Sequence, residues 1–270
     1  MVMIARRFNG PPLSGNGGYV AGVLAERFLA EFGPTPGAKV QVTLRKPPPL
    51  EKSLTLRQPP ETEVLRLMDG GTVVAEAELV EAAGELVEPV SYDEAVTASK
   101  DYAGSVGHPF PTCFVCGPEH PTGLHIFAGP VPGRRGVVAA PWTPAEDTSG
   151  PEFVWAALDC PGGWSAGDLE GRPVVLGRMS VELLNDGEPL VAGAPHVVLG
   201  RHLRTEGRKT FTVSALYGPS GEPVASAEAV WIAVDPKAVR PEGAGGADAA
   251  GTAGAADAPG PAGATDVVRD

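Results

Sequence analysis

The acid with the clearest potential for chemistry is Asp159, because it interrupts an apolar run. It lies within Val-Trp-Ala-Ala-Leu-Asp-Cys-Pro, residues 154–161, where the spacing of apolar residues predicts a helix. An acid among core-like residues is costly unless it is paired or functional, and desolvation makes its carboxylate a stronger base. We therefore predict that Asp159 serves as a general base or nucleophile. The alternative is an acid near a helix end that caps the amides following it.

Two adjacent glycines at the start of another predicted helix suit the stabilisation of an oxyanion. Gly17 and Gly18 would lie at a helix N-terminus, where backbone N–H groups lack intrahelical partners and the helix dipole favours negative charge. Neither glycine has a Cβ to block an approaching carbonyl group. The alternative is that they only permit a turn or close packing. Weaker predictions, for contacts to the acyl group or to water, are Asn16, Ser180 and Trp155.

An internal repeat indicates how these residues are positioned. Residues 14–28 and 149–163 both begin with Ser-Gly and run into an apolar segment of helical length, and residues 71–78 match residues 221–228. Strand-like alternation follows each helix, with apolar residues at Val40, Val42, Leu44, Met179, Val181 and Leu183. This order predicts two copies of one unit, each a helix followed by several antiparallel strands. Chance similarity between two amphipathic stretches is the alternative.

Composition restricts the class of protein. The chain has 270 residues, of which 43% are hydrophobic, and a net charge of −12, which argues against binding to nucleic acid or an anionic membrane. It contains neither a run of about 18 apolar residues nor a signal-peptide pattern, and its three cysteines do not make a disulfide framework. We predict a cytoplasmic protein. The Gly/Ala-rich residues 239–270 are predicted to be disordered.

Three local patterns resemble hotdog thioesterases. Cys-Phe-Val-Cys-Gly at 113–117 and Pro-Thr-Gly-Leu-His at 121–125 are similar to the CFxCG…NPxGL segment of the phenylacetate-degradation type, with His120 in place of the usual Asn. Asn16-Gly17-Gly18 resembles their His-Gly-Gly, with Asn in place of His, and residues 44–47 resemble the strand end that follows. With the duplication, the chain resembles the double-hotdog acyl-CoA thioesterases, including the acyl-CoA thioesterase II group.

The resemblance implies an α+β tandem hotdog fold, in which each unit is an antiparallel sheet wrapped around a central helix. We place an N-terminal unit at 1–100 and a C-terminal unit at 101–238. In hotdog pairs the active site lies between the units, so Gly17 would face Asp159. The mirror position would pair residues 150–151 with Leu24 and would be inactive. The implied activity is hydrolysis of an acyl-CoA or related acyl thioester without a cofactor or metal, and by analogy we expect a homodimer.

Two alternatives stay within the fold. A non-catalytic acyl-CoA-binding module would share the architecture, and the absence of a His before Gly17 keeps this reading open. A hotdog enoyl-CoA hydratase would place a His five residues after the helix Asp, where this chain has Trp164. The hydratase reading is therefore the weaker of the two.

Two further motifs suggest other chemistry. Gly-Trp-Ser-Ala-Gly at 163–167 matches the G-x-S-x-G nucleophile elbow, and a serine hydrolase would use Ser165 with Asp186 and either His196 or His202. The required strand before the motif and helix after it are not predicted. Four soft ligands have a spacing close to that of zinc sites, although a tight turn burying two thiols explains the pattern equally well. They are Cys113, Cys116, His120 and His125.

Overall fold

Two long helices pack against each other at the centre of the fold. The computed structural model describes residues 1–35, 38–81, 85–167, 171–185 and 187–239. The helices of these ranges are α1 (Gly17–Phe32), α2 (Tyr92–Ser99) and α3 (Pro151–Ser165). α1 begins after Asn16, whose side chain caps it, and ends at Gly33, which has a φ of 79°. α3 begins with a proline, which suits the first turn because its missing N–H would have no intrahelical partner there.

Eleven strands of the described residues form one sheet in which neighbouring strands are antiparallel. The strands are β1 (Val2–Met3), β2 (Ala38–Leu44), β3 (Ser53–Arg57), β4 (Leu65–Asp69), β5 (Thr72–Glu81), β6 (Gly129–Pro130), β7 (Val137–Trp142), β8 (Val174–Leu183), β9 (His196–Glu206), β10 (Lys209–Tyr217) and β11 (Pro223–Ala233). The first five make one half of the sheet and the last six make the other. Four strands of each half, β2–β5 and β8–β11, follow the long helix of that half, as the repeat predicts, whereas β1, β6 and β7 precede it.

The two halves join in the middle of the sheet through β2 and β8. The strand order is β1-β3-β4-β5-β2-β8-β11-β10-β9-β7-β6. Val40 pairs with Val181 and Val42 pairs with Met179 across the junction. These four side chains are buried, which agrees with the alternation in the sequence and places them in the core with the helices. Burying an apolar side chain of this size contributes about 1.5–3 kcal/mol.

Small residues let the two long helices approach closely. A Cβ built on Gly18 would lie 2.4 Å from Asp159 Cβ, and one built on Gly22 would lie 2.7 Å from Glu152 Cα. Since real Cβ atoms do not tolerate such distances, both positions require glycine unless the helices separate. The close approach brings the first turn of α1 against the middle of α3.

The short helix α2 packs on the second half of the sheet. Its Ala95 and Ala98 belong to a hydrophobic cluster with Val137 of β7 and Leu199 of β9. The predicted unit boundary at residue 100 assigns α2 to the first unit, whereas this packing favours a boundary before the helix. Of the tail predicted over 239–270, residues 240–270 lie outside the described residues. No helix within the described ranges has both the length and the hydropathy needed to span a membrane.

Candidate active site

The carboxylate of Asp159 lies against the N-terminus of α1. Its side chain is on α3, and the residue is only 2% exposed. Oδ2 accepts a hydrogen bond of 2.9 Å from the Gly18 N–H and one of 3.0 Å from Asn16 Nδ2. Oδ1 is buried and accepts no hydrogen bond from the described residues. One oxygen is thus fixed by the other half of the chain, while the second retains its lone pairs for chemistry.

Burial raises the pKa of Asp159 from its usual 3.8 to about 7. The hydrogen bond from Gly18 lowers this pKa, the nearby Cys113 raises it further, and the hydrogen bond from Asn16 lowers it. A general base is most useful when its pKa lies near the working pH. Asp159 therefore has the protonation behaviour of a base that operates near neutrality.

Asn16 connects the start of α1 to Asp159. Its Oδ1 accepts a hydrogen bond of 2.9 Å from the Tyr19 N–H, which satisfies one of the unpaired donors of the first turn. Its Nδ2 donates to Asp159 Oδ2, and Cys113 Sγ lies 3.9 Å from the same nitrogen. Because both ends of this buried amide are engaged, Asn16 holds the carboxylate in place. The structure therefore brings this predicted residue into the site.

The two predicted oxyanion donors have different environments. The Gly18 N–H is committed to Asp159, so it is not free to contact a substrate. The Gly17 N–H donates to no described residue, and Gly17 lines a cavity together with Asn16 and Asp159. A Cβ on Gly17 would lie 2.8 Å from the Cβ of Leu176, so a larger residue would have to displace the wall. Gly17 is the donor that an oxyanion in the cavity could reach.

The cavity has a volume of about 780 Å³ and lies between α1, α3 and the junction of β2 with β8. Its large apolar lining residues are Leu44, Phe110, Trp164, Leu176, Trp231 and Ile232. Three bases also line it, namely Arg45, Lys46 and Arg172. Among the described lining residues, Asp159 is the one acid. An apolar pocket with basic residues in a chain of net charge −12 fits a ligand that has an apolar part and an anionic part.

Two of the predicted substrate contacts lie elsewhere. Ser180 is on β8, and its hydroxyl donates to Gln41 Oε1 at 3.3 Å on the face of the sheet opposite Met179 and the helices. Trp155 is 2% exposed at the contact between α1 and α3, where its Cβ lies 2.8 Å from a Cβ built on Gly22. Neither residue lines the cavity. Contact of Ser180 or Trp155 with a substrate remains a prediction that the position of this cavity does not favour.

The nucleophile-elbow hypothesis is wrong, because Ser165 does not lie on a turn between a strand and a helix. Ser165 is the last residue of α3, and its Oγ donates to the Gly162 carbonyl at 2.7 Å, so no strand precedes it and no helix follows at once. His196 contacts the Ala194 carbonyl and His202 contacts Thr205. Asp186 lies outside the described residues.

The predicted set of zinc ligands is also divided by the structure. His120 Nε2 lies 2.7 Å from the Arg7 carbonyl oxygen, and His125 Nε2 lies 2.8 Å from the His120 carbonyl oxygen. The sulfurs of Cys113 and Cys116 are instead close to that of Cys160. The two histidines and the two cysteines therefore do not form one cluster.

Sequence reasoning missed His108 in the cavity wall and gave its neighbour Trp164 only as a residue of the core or of a pocket wall. His108 and Trp164 both line the cavity, with ring centroids 5.1 Å apart in an edge-to-face contact. Burial lowers the pKa of His108, while the nearby Cys113 and a hydrogen bond with Cys116 oppose the shift. Trp164 occupies the place that a hydratase would need for His. The periodicity of α3 could have indicated Trp164, whereas no pattern marks His108, which lies outside regular elements.

The mirror position lacks the groups described above. The first residues of the two helices, Gly17 and Pro151, are 134 positions apart. This offset differs by one from the predicted pairing and places Ala25 rather than Leu24 in correspondence with Asp159. Both are buried apolar residues, and Pro151 has no N–H to donate. One polar site per chain follows from either alignment.

Comparisons with solved structures identify the fold as a double hotdog. No protein-family model matches the chain, and no curated protein matches it in sequence. A protein of Novosphingobium aromaticivorans, provisionally named a thioesterase, is 10% identical with a TM-score of 0.57, covering 87% of this chain and 94% of that one. A conserved hot dog protein of unknown function from Alicyclobacillus acidocaldarius is 11% identical with a TM-score of 0.52, covering 85% and 90%.

A tesB protein of Mycobacterium avium subsp. paratuberculosis is 12% identical, with a TM-score of 0.50 and coverage of 82% of this chain and 88% of that one. At these identities the similarity concerns the fold. The predicted fold class is confirmed: the chain has an α+β double hotdog fold of the thioesterase II (TesB) type, with one long antiparallel sheet and central helices.

Proposed function

We propose that this chain is a thioesterase that hydrolyses an acyl-CoA or a related acyl thioester at one site between its two units. The observation that carries the proposal is the position of Asp159. A buried carboxylate of the second unit is held by Asn16 and Gly18 at the helix start of the first, beside the unpaired Gly17 N–H. Base, oxyanion donor and apolar cavity therefore meet in one place.

In the proposed reaction, Asp159 Oδ1 removes a proton from a water molecule as the water oxygen bonds to the thioester carbonyl carbon. The carbonyl oxygen becomes an oxyanion that accepts a hydrogen bond from the Gly17 N–H, favoured by the dipole of α1. The C–S bond then breaks, and Asp159 returns the proton to the sulfur. The products are a carboxylic acid and a free thiol, and no cofactor takes part in these steps.

The basic residues of the cavity support a phosphate-bearing substrate. Lys46 and Arg172 lie with Arg45 among the lining residues, and Arg45 is paired with Glu76 at 2.6 Å. Phosphate groups of a coenzyme A carrier would be attracted to such residues. The apolar walls formed by Leu44, Leu176 and their neighbours would receive the acyl group. The structurally similar protein of Novosphingobium aromaticivorans, which is provisionally named a thioesterase, supports thioester hydrolysis as the reaction class.

The test is release of free thiol from a panel of acyl-CoAs by the full chain and by Asp159→Asn. General-base catalysis contributes about 10²–10⁴-fold, so we expect a loss of that size with the fold retained. Glu152→Gln is the matched control, because it neutralises an acid on the same helix that does not line the cavity. We expect this control to keep wild-type turnover.

Each other outcome contradicts the proposal in a distinct way. Saturable binding of acyl-CoA without turnover by the wild type would indicate the non-catalytic binding module. Unchanged turnover in Asp159→Asn would move the chemistry away from this carboxylate. If ¹⁸O from the solvent is absent from the acid formed in a single turnover, Asp159 is a nucleophile rather than a general base.

A further inference from the structure

The three cysteines of the chain meet on the wall of the cavity. Cys113 and Cys116 come from the loop between α2 and β6, and Cys160 follows Asp159 on α3. All three are buried and free of disulfides, and their sulfur atoms lie within 4.8 Å of one another. The sequence-based zinc pattern did not include Cys160, because the helix and the loop are distant in the chain.

The spacing of these sulfurs fits a thiophilic metal. Cys113 Sγ and Cys160 Sγ are 3.8 Å apart. Zinc binds cysteine sulfur at about 2.3 Å in a tetrahedral arrangement, which places ligand sulfurs about 3.8 Å from one another. One edge of a tetrahedron therefore has the required length, and the other sulfur–sulfur distances need to contract by about 1 Å at most.

The loop that carries two of the cysteines is held in its shape without a metal. The Gly117 N–H donates to the Cys113 carbonyl at 2.8 Å, and a Cβ on Gly117 would lie 2.4 Å from the Cys113 nitrogen. The Tyr102 hydroxyl donates to the Cys116 carbonyl at 2.8 Å. Because the turn and α3 already position the sulfurs, metal binding would require little ordering of the chain.

Polar hydrogens point at two of the sulfurs. Asn16 Nδ2 lies 3.9 Å from Cys113 Sγ, and His108 Nε2 lies 3.4 Å from Cys116 Sγ. The Phe110 N–H donates to His108 Nδ1 at 2.8 Å, so a neutral His108 carries its proton on Nε2 and donates it to the sulfur. Such hydrogen bonds stabilise metal-bound thiolates from outside the ligand set. His108 is therefore a positioning residue here, and not a ligand.

We propose that Cys113, Cys116 and Cys160 bind one thiophilic divalent metal ion, with zinc as the expected occupant. The three cysteines all line the cavity, so the fourth ligand would be a water or a ligand group in the cavity, as in zinc sites with three protein ligands. The proposal departs from the sequence prediction, which assigns no metal. It is independent of the proposed thioesterase activity, since its test measures metal and not turnover.

The first experiment uses the full chain purified under reducing, oxygen-free conditions. We expect about one zinc per chain by elemental analysis, and sulfur-to-metal charge-transfer absorption when cobalt replaces it. Magnesium, which prefers oxygen ligands, should give neither binding nor protection. In the unaltered protein, zinc should protect all three cysteines from alkylation, and a chelator should remove that protection.

Variants separate this site from the one that the sequence suggests. Cys160→Ser should lose the metal, whereas His125→Asn should keep it, because His125 is exposed, has a φ of 52° and lies outside the cluster. His108→Ala should retain one metal per chain with about 10–100-fold weaker affinity. The alkylation experiment on the unaltered chain stands even if Cys160→Ser does not fold.

Three results would overturn the proposal. One is a reduced chain that takes up neither zinc nor cobalt and leaves its cysteines unprotected. Another is protection of Cys113 and Cys160 from alkylation that a chelator does not remove but a stronger reductant does, which would indicate a disulfide between them and not a bound metal. The third is loss of the metal in His125→Asn with retention in Cys160→Ser, which would restore the ligand set suggested by the sequence.

Discussion

The starts of the two long helices differ in the groups that chemistry requires. α1 begins with Asn16, Gly17 and Gly18, a capping amide and two N–H donors, and faces a carboxylate on α3. α3 begins with Gly150 and Pro151, which provide no capping side chain and one donor fewer, and the corresponding position on α1 is apolar. Duplication of a unit provides two equivalent places, but only the one at the start of α1 combines a buried carboxylate with a capping amide and a backbone donor.

The two positions also differ in what their buried residues contribute to the stability of the fold. At the mirror position the buried residues Leu24 and Ala25 need no partner, and they contribute to the core without a desolvation cost. Asp159 is equally buried, and burial raises its pKa because keeping a charge there carries a desolvation cost. The polar site should therefore be the less stable of the two. Substitutions that make the start of one long helix resemble the start of the other test this difference.

The largest effect is expected from Asp159→Asn on the stability of the fold. The pKa of Asp159 is higher in the folded state than its usual 3.8, so the native state binds the proton more tightly and loses stability as the pH rises from about 4 to about 7. Removing the charge should stabilise the protein by on the order of 4 kcal/mol above pH 7. The gain should disappear near pH 4.

The measurement is urea unfolding of wild type and variant at pH 4, 6 and 8, with Glu152→Gln as a control for loss of one acid from α3. A gain that does not depend on pH would contradict this account, because it would have another origin than the carboxylate. A destabilised variant at pH 8 would show that the two hydrogen bonds to Asp159 outweigh the cost of its burial.

The next effect concerns the donor at the start of α1. Gly17→Pro gives α1 the first residue that α3 has, which suits the first turn of a helix and removes the N–H. Gly17→Ala introduces a Cβ at the same place near Leu176 but keeps the N–H. Loss of one oxyanion donor lowers kcat by about 10²–10³-fold, so we expect kcat of the Pro variant to fall below that of the Ala variant by this factor.

Steady-state kinetics on an acyl-CoA that the wild type hydrolyses provides the measurement, with circular dichroism to confirm that both variants fold. Equal kcat values for the Pro and Ala variants would exclude the Gly17 N–H as the oxyanion donor. A difference confined to KM would indicate that the N–H binds substrate without favouring the transition state.

The smallest effect is expected from Asn16→Ser. Serine caps a helix about as well as asparagine, so the capping of α1 should be retained to within about 1 kcal/mol. Its side chain is too short to reach Asp159, so one hydrogen bond that lowers the pKa of this carboxyl is lost. The midpoint of the pH–rate profile, expected at about pH 7 in the wild type, should move upward.

A hydrogen bond to a charged group contributes about 1.5–3 kcal/mol, so activity at pH 6 should fall by about 10–100-fold. The difference in activity between the variant and the wild type should decrease as the pH rises. Gly150→Ala, the corresponding change at the start of α3, should leave the profile unchanged. A profile that keeps its midpoint in Asn16→Ser would mean that another group controls the rate.

The parts of the site that lie on regular elements could be predicted from the sequence. Asp159 stands out because a charged residue within an apolar helical run has to be satisfied by something outside that run. Gly17 follows from the unpaired donors of any helix start, and the facing of the two is implied by the resemblance to hotdog pairs. The difference between Gly17 and Gly18 could not be predicted, since it depends on which N–H the carboxylate of Asp159 reaches.

The parts that failed show where sequence patterns carry little spatial information. The alternation of Met179 and Val181 already placed Ser180 on the opposite face of β8, and the structure bears out the alternation rather than the proposed role. His108, Cys113 and Cys116 lie in a loop whose sequence has no helical or strand periodicity. Their positions are set by turns and by contacts with a distant helix, which spacing along the chain does not encode.

The junction of β2 and β8 has a consequence for the chemistry, although none of its residue pairs reacts. α1 packs on β2, β5 and β8, and α3 packs on β8 as well as on β9 and β10, so the register between β2 and β8 affects the offset between the two helices. A slip of two residues would displace one half by about 6.8 Å, more than twice the 2.9 Å between the Gly18 nitrogen and the Asp159 carboxylate. Four residue pairs, Val40↔Val181 to Thr43↔Arg178, thus contribute, together with the direct packing of α1 on α3, to the alignment of a base with its donors.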